Sequence, residues 1–307
     1  MVDALLFTSI PPKITRRNAA GEEIGPSYQA DCIASWIEAG FSPATINARS
    51  ESFSAEPPVR RVAVERDASE ITGRPHPYFG DLLSAIASET DGPFALVNAD
   101  ILIPPSAGLS RRVTSLKRGQ MIFTRRLDVA RVGASGKPFF YGYDFFAAHG
   151  ADAAALAKSQ LVFGAPWWDH FFPLAMHLHG CRLTQLEPTI MHLHHVERWD
   201  WSTYRKLGDR FLAEIRPMIA DGPYTEHLRR ILAGGRGSRL RRRERRDRLV
   251  VDRVSQLNVA VLERLAPPPA SSGVRTPLKM SVADKLLGLS GASGSFSTTT
   301  HTPRRVS

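Results

Sequence analysis

The chain has 307 residues and a formal net charge of +10, with 40 Lys and Arg against 30 Asp and Glu. With 43% hydrophobic and 8% aromatic residues it can bury a sizeable core, which excludes a disordered or fibrous chain as a whole. The longest apolar stretches, such as residues 94–97 and 171–176, fall far short of the ~20 residues that span a bilayer, so no transmembrane helix is expected.

At the N-terminus an acid, Asp3, stands where a secretory leader would carry Lys or Arg, so a cytoplasmic protein is expected. Ala4 to Ile10 is a continuous apolar run stopped by Pro11-Pro12, the pattern of a buried parallel strand entering a loop. Tyr28, Cys32, Ile33, Trp36 and Ile37 then recur at helical spacing, and Gly40 stands where a helix C-terminal glycine belongs. Short strands are expected at Ala44 to Ala48 and Arg61 to Val64, a helix at Tyr78 to Ala87, and a buried strand at Phe94 to Val97. Ser106 to Lys117 reads as a helix, Gln120 to Thr124 and Tyr141 to Ala147 as strands, Trp167 to His179 as an aromatic helix, and Thr189 to His194 as a strand. Helices are expected at Ser202 to Ala220 and Tyr224 to Leu232. This alternation predicts an α/β fold with a mainly parallel central sheet flanked by helices. The two cysteines, Cys32 and Cys181, make neither a disulfide framework nor a metal spacing and sit among apolar residues as small core side chains.

The basicity is local. From Arg229 to Arg253 eleven arginines face only Glu244, Asp247 and Asp252, a surplus of eight out of the net +10. Such a run is expected to be a solvated helix or linker, or a contact for an anionic membrane surface. No aromatic residue is interleaved to stack on bases, which disfavours nucleic acid. The expected organisation is an α/β domain over 1–200, its helical C-terminal part over 201–235, a basic helix or linker over 236–264, and a mostly disordered Pro/Ser/Thr/Gly-rich tail over 265–307.

Four tracts carry candidate chemistry. In the tract Phe94 to Pro104 a hydrophobic strand delivers Asn98 and Asp100 at its C-terminal end, where open α/β sheets bind ligands. If the strand continued, period-two geometry would put both side chains on one side, able to hold Mg²⁺ or Mn²⁺ over a diphosphate; the same residues also suit a turn cap. In Thr189 to His195, strand geometry would point His192 and His194 the same way, as two imidazole ligands or one ligand and one phosphate contact. In Phe163 to Phe172, Asp169 suits either the first turn of a helix or a general base, with Trp167 and Trp168 stacking on a sugar. Finally, Thr8 and Arg16 flank a loop suited to a nucleotide but lacking the glycines of a Walker or dinucleotide fingerprint, and Asp67 and Arg74 could meet a nucleobase or ribose and a phosphate.

Taken in order, these residues resemble a GT-A glycosyltransferase over roughly residues 3–200. The resemblance implies a Rossmann-like domain in which Asn98-Ala99-Asp100 stands in place of the strand-end Asp-x-Asp motif, with Asn98 departing from the first acid. It further implies Asp169 as catalytic base, His192 or His194 completing a divalent metal site with Asp100, and Asp144 of the tract 141–146 on the acceptor side. A nucleotide-sugar donor and a glycan or other hydroxyl acceptor are the implied partners. A nucleotidyltransferase shares this plan but would grip its triphosphate with a Gly- and Lys-rich first loop, where Pro11-Pro12 stands. A non-catalytic nucleotide- or glycan-binding protein docking through its arginines is the third alternative.

Overall fold

The structure, a computed structural model, describes residues 4–17, 21–54, 56–195, 200–219, 223–233 and 240–269. In chain order the strands are β1 (Ala4–Thr8), β2 (Phe41–Ala48), β3 (Arg60–Val64), β4 (Pro93–Val97), β5 (Ile101–Leu102), β6 (Gln120–Thr124), β7 (Arg126–Val129), β8 (Lys137–Pro138), β9 (Phe145–His149), β10 (Arg182–Gln185) and β11 (Ile190–Leu193). The helices are α1 (Gly25–Glu38), α2 (Ser69–Thr72), α3 (Phe79–Glu89), α4 (Leu109–Thr114), α5 (Gly150–Ala153), α6 (Trp168–Leu178), α7 (Trp201–Ile215), α8 (Pro223–Ala233) and α9 (Leu240–Leu265).

Seven strands form the central sheet in the order β10-β6-β9-β4-β1-β2-β3. All neighbours pair parallel except β9, which runs antiparallel to both β4 and β6. Its strands are covered on both faces, which is why they read as unbroken apolar runs. Leu6, Ala95, Val97 and Phe145 pack with Tyr28, Cys32 and Trp36 of α1 on one face. Phe7, Phe94, Leu96 and Phe146 pack with α3, α6 and α9 on the other. Both cysteines are buried and unpaired. A second, four-stranded sheet, β5-β11-β7-β8, stands at the end of the first.

Several expected elements change their bounds. The helix expected over 106–117 is a single turn followed by α4, because Gly108 enters the left-handed region at φ 59° and separates them. Residues 141–144 are a connection rather than strand, and pairing begins at Phe145. Of the basic segment, residues 234–239 lie outside the described residues, Arg229 and Arg230 belong to α8, and the rest falls in the 26-residue helix α9, whose second half is core: Val254, Leu257, Val261 and Leu262 are buried, with α9 packed on α6 and α8. The tail from 270 lies outside the described residues. No helix among the described residues is long and apolar enough to cross a membrane.

Phe79 sits at the centre of the aromatic core, with ring centroids 5.2 Å from Phe172, 5.5 Å from Trp168 and 6.4 Å from Phe163 and Phe171. Phe79→Ala is therefore expected to cost about 3–5 kcal/mol, read as a lower urea midpoint with an unchanged slope.

Candidate active site

The strand order reverses between β1 and β4, and the crevice beyond their C-terminal ends is where such sheets bind ligands. Thr8 ends β1 and is fully buried, and its Oγ1 has no hydrogen-bond partner among the described residues. The chain leaves β4 at Val97 and turns through Asn98 to Asp100. Helix α1 fixes that turn: the Tyr28 hydroxyl donates to the Asp100 carbonyl at 2.8 Å and accepts the Leu193 N–H at 2.8 Å. The Trp36 indole N–H donates to the Ile101 carbonyl at 2.7 Å.

The second sheet then brings histidine to Asp100. In the antiparallel β5–β11 ladder His192 stands opposite Ile101, and in the parallel β7–β11 ladder it stands beside Asp128. Its Nε2 lies 3.3 Å from Asp100 Oδ2 and its Nδ1 3.0 Å from Asp128 Oδ1. His195 Nε2 lies 3.7 Å from the same Asp100 oxygen, with which Arg16 also pairs. Beyond Asp128 the network continues: Arg126 donates to Asp128 Oδ1 at 2.8 Å and to Asp144 Oδ1 at 3.0 Å, and Asn98 Nδ2 donates to Asp144 Oδ1 at 2.8 Å. Asp144 Oδ2 is buried with no hydrogen-bond partner among the described residues.

These neighbours set the charge states. Burial opposes ionisation of Asp100, but His192, His195 and Arg16 outweigh it and hold the carboxyl well below the usual carboxylate range. Burial likewise opposes charge on His192, yet Asp100 and Asp128 raise its pKa above the ordinary value. Asp169, the second residue of α6, behaves oppositely: burial raises its pKa, and the nearby Asp144 carboxylate adds to the rise against the pull of His170. The Tyr143 N–H donates to Asp169 Oδ2 at 3.3 Å. A Cβ on Gly142 would overlap that same oxygen, so a larger residue there would have to displace the carboxylate.

The ligating atoms of Asp100, His192 and His195 lie within 4.8 Å of one another. Asp128 holds the far nitrogen of His192, the second contact by which proteins orient a metal-binding imidazole. Two imidazoles with one carboxylate fit Mn²⁺ or another first-row ion better than Mg²⁺, which demands oxygen ligands.

Some predicted residues fall elsewhere. Strand β11 ends at Leu193, so the period-two expectation stops short of His194, whose side chain is 68% exposed with Nδ1 3.9 Å from Asp128 Oδ2. It is His195 that turns back onto Asp100. Asn98 lies past the end of β4 and spends its amide on Asp144 rather than flanking Asp100. Trp167 and Trp168 are each only 2% exposed and offer no face to a sugar. Trp167 adopts φ 88°, a left-handed conformation rare for a bulky residue, held by its indole N–H on the Tyr204 carbonyl at 2.9 Å and by the rings of Tyr204 and Phe211. Trp168 packs on Phe79, Phe146 and Phe163. Both indoles are therefore core that fixes the start of α6, and hence Asp169. Asp67 lies past β3, two strands from β1, where it accepts from the Ser50 hydroxyl and the Ser69 N–H, and Arg74 follows the end of α2. Asp128, Arg126 and Tyr28 join the site only in the structure: the alternation Arg126-Leu127-Asp128 is the sequence signal for the first two, while the helical spacing of Tyr28 marks only a core position.

No family sequence model and no curated protein sequence matches the chain. Among solved structures it is similar to a nucleotide-diphospho-sugar transferase structure from Desulfovibrio desulfuricans, at 11% identity over 80% of this chain and 97% of that one, with a TM-score of 0.40. A nucleotidyl transferase from Methanothermobacter thermautotroptrophicus aligns at 13% identity over 70% and 100%, with a TM-score of 0.37. The protein Rv0371C of Mycobacterium tuberculosis, solved in complex with manganese, aligns at 15% identity over 67% and 98%, with a TM-score of 0.34.

If Asp100, His192 and His195 form one metal site, Mn²⁺ titrated by calorimetry should bind wild type and His194→Ala alike. His195→Ala should bind more weakly, and Asp128→Asn should lose about 10–100-fold in affinity.

Proposed function

We propose that the protein is a glycosyltransferase that moves a sugar from a nucleoside diphosphate donor to an acceptor hydroxyl. The observation that carries this reading is a pair of unlike carboxylates at one end of the sheet. Asp100 is kept ionised beside His192, His195 and Arg16, and burial raises the pKa of Asp169, the two being linked through His192, Asp128, Arg126, Asp144 and the adjacent Tyr143. Environments that drive two carboxyl groups apart assign them different tasks.

In this reading the β1–α1 loop receives the nucleotide, with Thr8 Oγ1 and Arg16 facing the donor and Asp67 and Arg74 toward its outer parts. Asp100, His192 and His195 would hold a divalent cation, Mn²⁺ in preference to Mg²⁺, which would neutralise charge on the departing diphosphate. Arg16, beside the same carboxylate, supplies a further positive charge to that diphosphate. On the acceptor side Asp144 Oδ2 accepts one substrate hydroxyl, and Asp169 accepts the proton of the attacking one. The acceptor oxygen forms its bond to the anomeric carbon as the carbon–oxygen bond to the diphosphate breaks, and the electron pair leaves with the diphosphate. Direct displacement of this kind inverts the anomeric centre. The arginines of 229–253, six of which fall within residues 241–248 of α9, would dock the enzyme on an anionic membrane surface.

A panel of nucleoside diphosphate sugars with Mn²⁺ tests the reading. Wild type is expected to transfer sugar from one of them. Asp169→Asn should lose about 10²–10⁴-fold in kcat while still binding the donor. Because the base must be deprotonated and its pKa is raised, kcat in wild type should fall on acidification at a higher pH than an ordinary carboxylate would give. Release of pyrophosphate from a nucleoside triphosphate and a sugar phosphate, with no sugar transfer, would instead make it a nucleotidyltransferase. The docking proposal is tested separately. The chain should sediment with phosphatidylserine vesicles at low salt and be released as salt rises, and replacing Arg241, Arg242, Arg245 and Arg246 by Glu should abolish binding.

A further inference from the structure

The buried pair between Arg125 and Glu263 joins residues far apart in the chain. Arg125 lies between β6 and β7, Glu263 near the end of α9, and both side chains are only 1% exposed. Breaking such a pair leaves an uncompensated buried charge, so its presence demands a reason beyond stability, since apolar side chains of like volume often serve as well.

Arg125 lies between β6 and β7, and Arg126 is the first residue of β7. Together they grip the connection 139–144. Arg126 lies 3.9 Å from the centroid of the Phe139 ring, while Arg125 lies 5.9 Å from Phe140 and 5.4 Å from Tyr143. Both ends of the connection are also bonded to this junction, Phe139 N–H to the Arg126 carbonyl at 2.9 Å and Asp144 N–H to the Thr124 carbonyl at 3.2 Å. The connection carries Gly142 and Tyr143, whose backbone packs on and donates to the Asp169 carboxylate, and Asp144 itself. Arg125 can press on Phe140 and Tyr143 in one orientation only while a fixed anion holds its guanidinium.

We propose that Glu263 is a positioning residue of the active site: by holding Arg125 it fixes the 139–144 connection and with it the carboxylate of Asp169, so that α9 is part of the catalytic centre. The inference rests on Asp169 being the base. Its consequence is specific, because loss of Glu263 loosens the Tyr143 N–H from Asp169, and that hydrogen bond is one of the contacts favouring the ionised form.

The test compares full-length wild type with Glu263→Gln and with the paired replacement Arg125→Met and Glu263→Leu, which removes both charges and preserves bulk. Folding is checked by urea denaturation. Glu263→Gln should lower kcat about a hundredfold, as small misplacement of a reacting group does. Donor KM should stay within about twofold, because ground-state binding is untouched. The acid limb of kcat should move to higher pH. The paired replacement should fold as well as wild type yet leave kcat low. Unchanged kcat and pH profile in folded Glu263→Gln, or full kcat in the paired replacement, would overturn the proposal. Carboxyl ¹³C titration of Asp169, assigned through Asp169→Asn, separates this from failure of the function itself. An upward move in Glu263→Gln supports the positioning role even if wild type transfers no sugar, and no move refutes it.

Discussion

The line Asp100–His192–Asp128 is the interaction on which the rest of the site depends. Each of its charges is wholly or partly withdrawn from water, and a buried ion costs several kcal/mol unless partners in good geometry replace its hydration. The two sheets meet that demand jointly: β4 leads into the aspartate, β11 contributes the imidazole, and β7 the second carboxylate. Register makes the contact possible, since His192 stands beside Asp128 on one side and opposite Ile101 on the other. A shift of β11 by one residue would turn the imidazole to the other face and leave Asp100 and Asp128 without their shared partner.

From this line the charge pattern spreads in two directions. Arg16 and His195 converge on Asp100 and keep it anionic. Arg126 carries the network to Asp144, whose buried Oδ2 has no partner among the described residues. Asp169 lies past that point, with a backbone N–H and the adjacent His170 imidazole at 3.7 Å but, among the described residues, no guanidinium paired with it, and burial dominates. One sheet end thus holds a carboxylate kept ionised by cationic neighbours and another shifted toward its protonated form by burial. The difference arises from neighbours, since the side chains are chemically identical.

Helix α9 combines two characters along its length. Its first half carries most of the arginines that make the chain basic, and its second half packs Val254, Leu257, Val261 and Leu262 into the core beneath α6. The element that would meet an anionic surface is therefore continuous with the one that places Glu263 against Arg125. From the sequence this stretch reads as a basic helix or linker, and the arginines mask the apolar spacing that makes the second half of the helix core.

Local chemistry determined much of this protein directly. Unbroken apolar runs specified β1, β4 and the two-sided sheet, helical spacing specified α1 and its buried Tyr28, Cys32 and Trp36, and the strand-end position of Asp100 followed from Phe94 to Val97. The richness in histidine at 192–195 was equally plain, but which imidazoles meet Asp100 was not. That depends on β11 ending at Leu193, which pairing with β5 and β7 decides. Trp167 and Trp168 show the same limit: sequence marks them as unusual, and only their enclosure by Tyr204, Phe211, Phe79 and Phe146 makes them supports for Asp169 rather than a platform for a sugar. Periodicity and propensity act over a few residues, whereas the site is assembled from segments brought together by sheet register and burial. Tertiary structure alone could join Asp100 to His192 and Arg125 to Glu263.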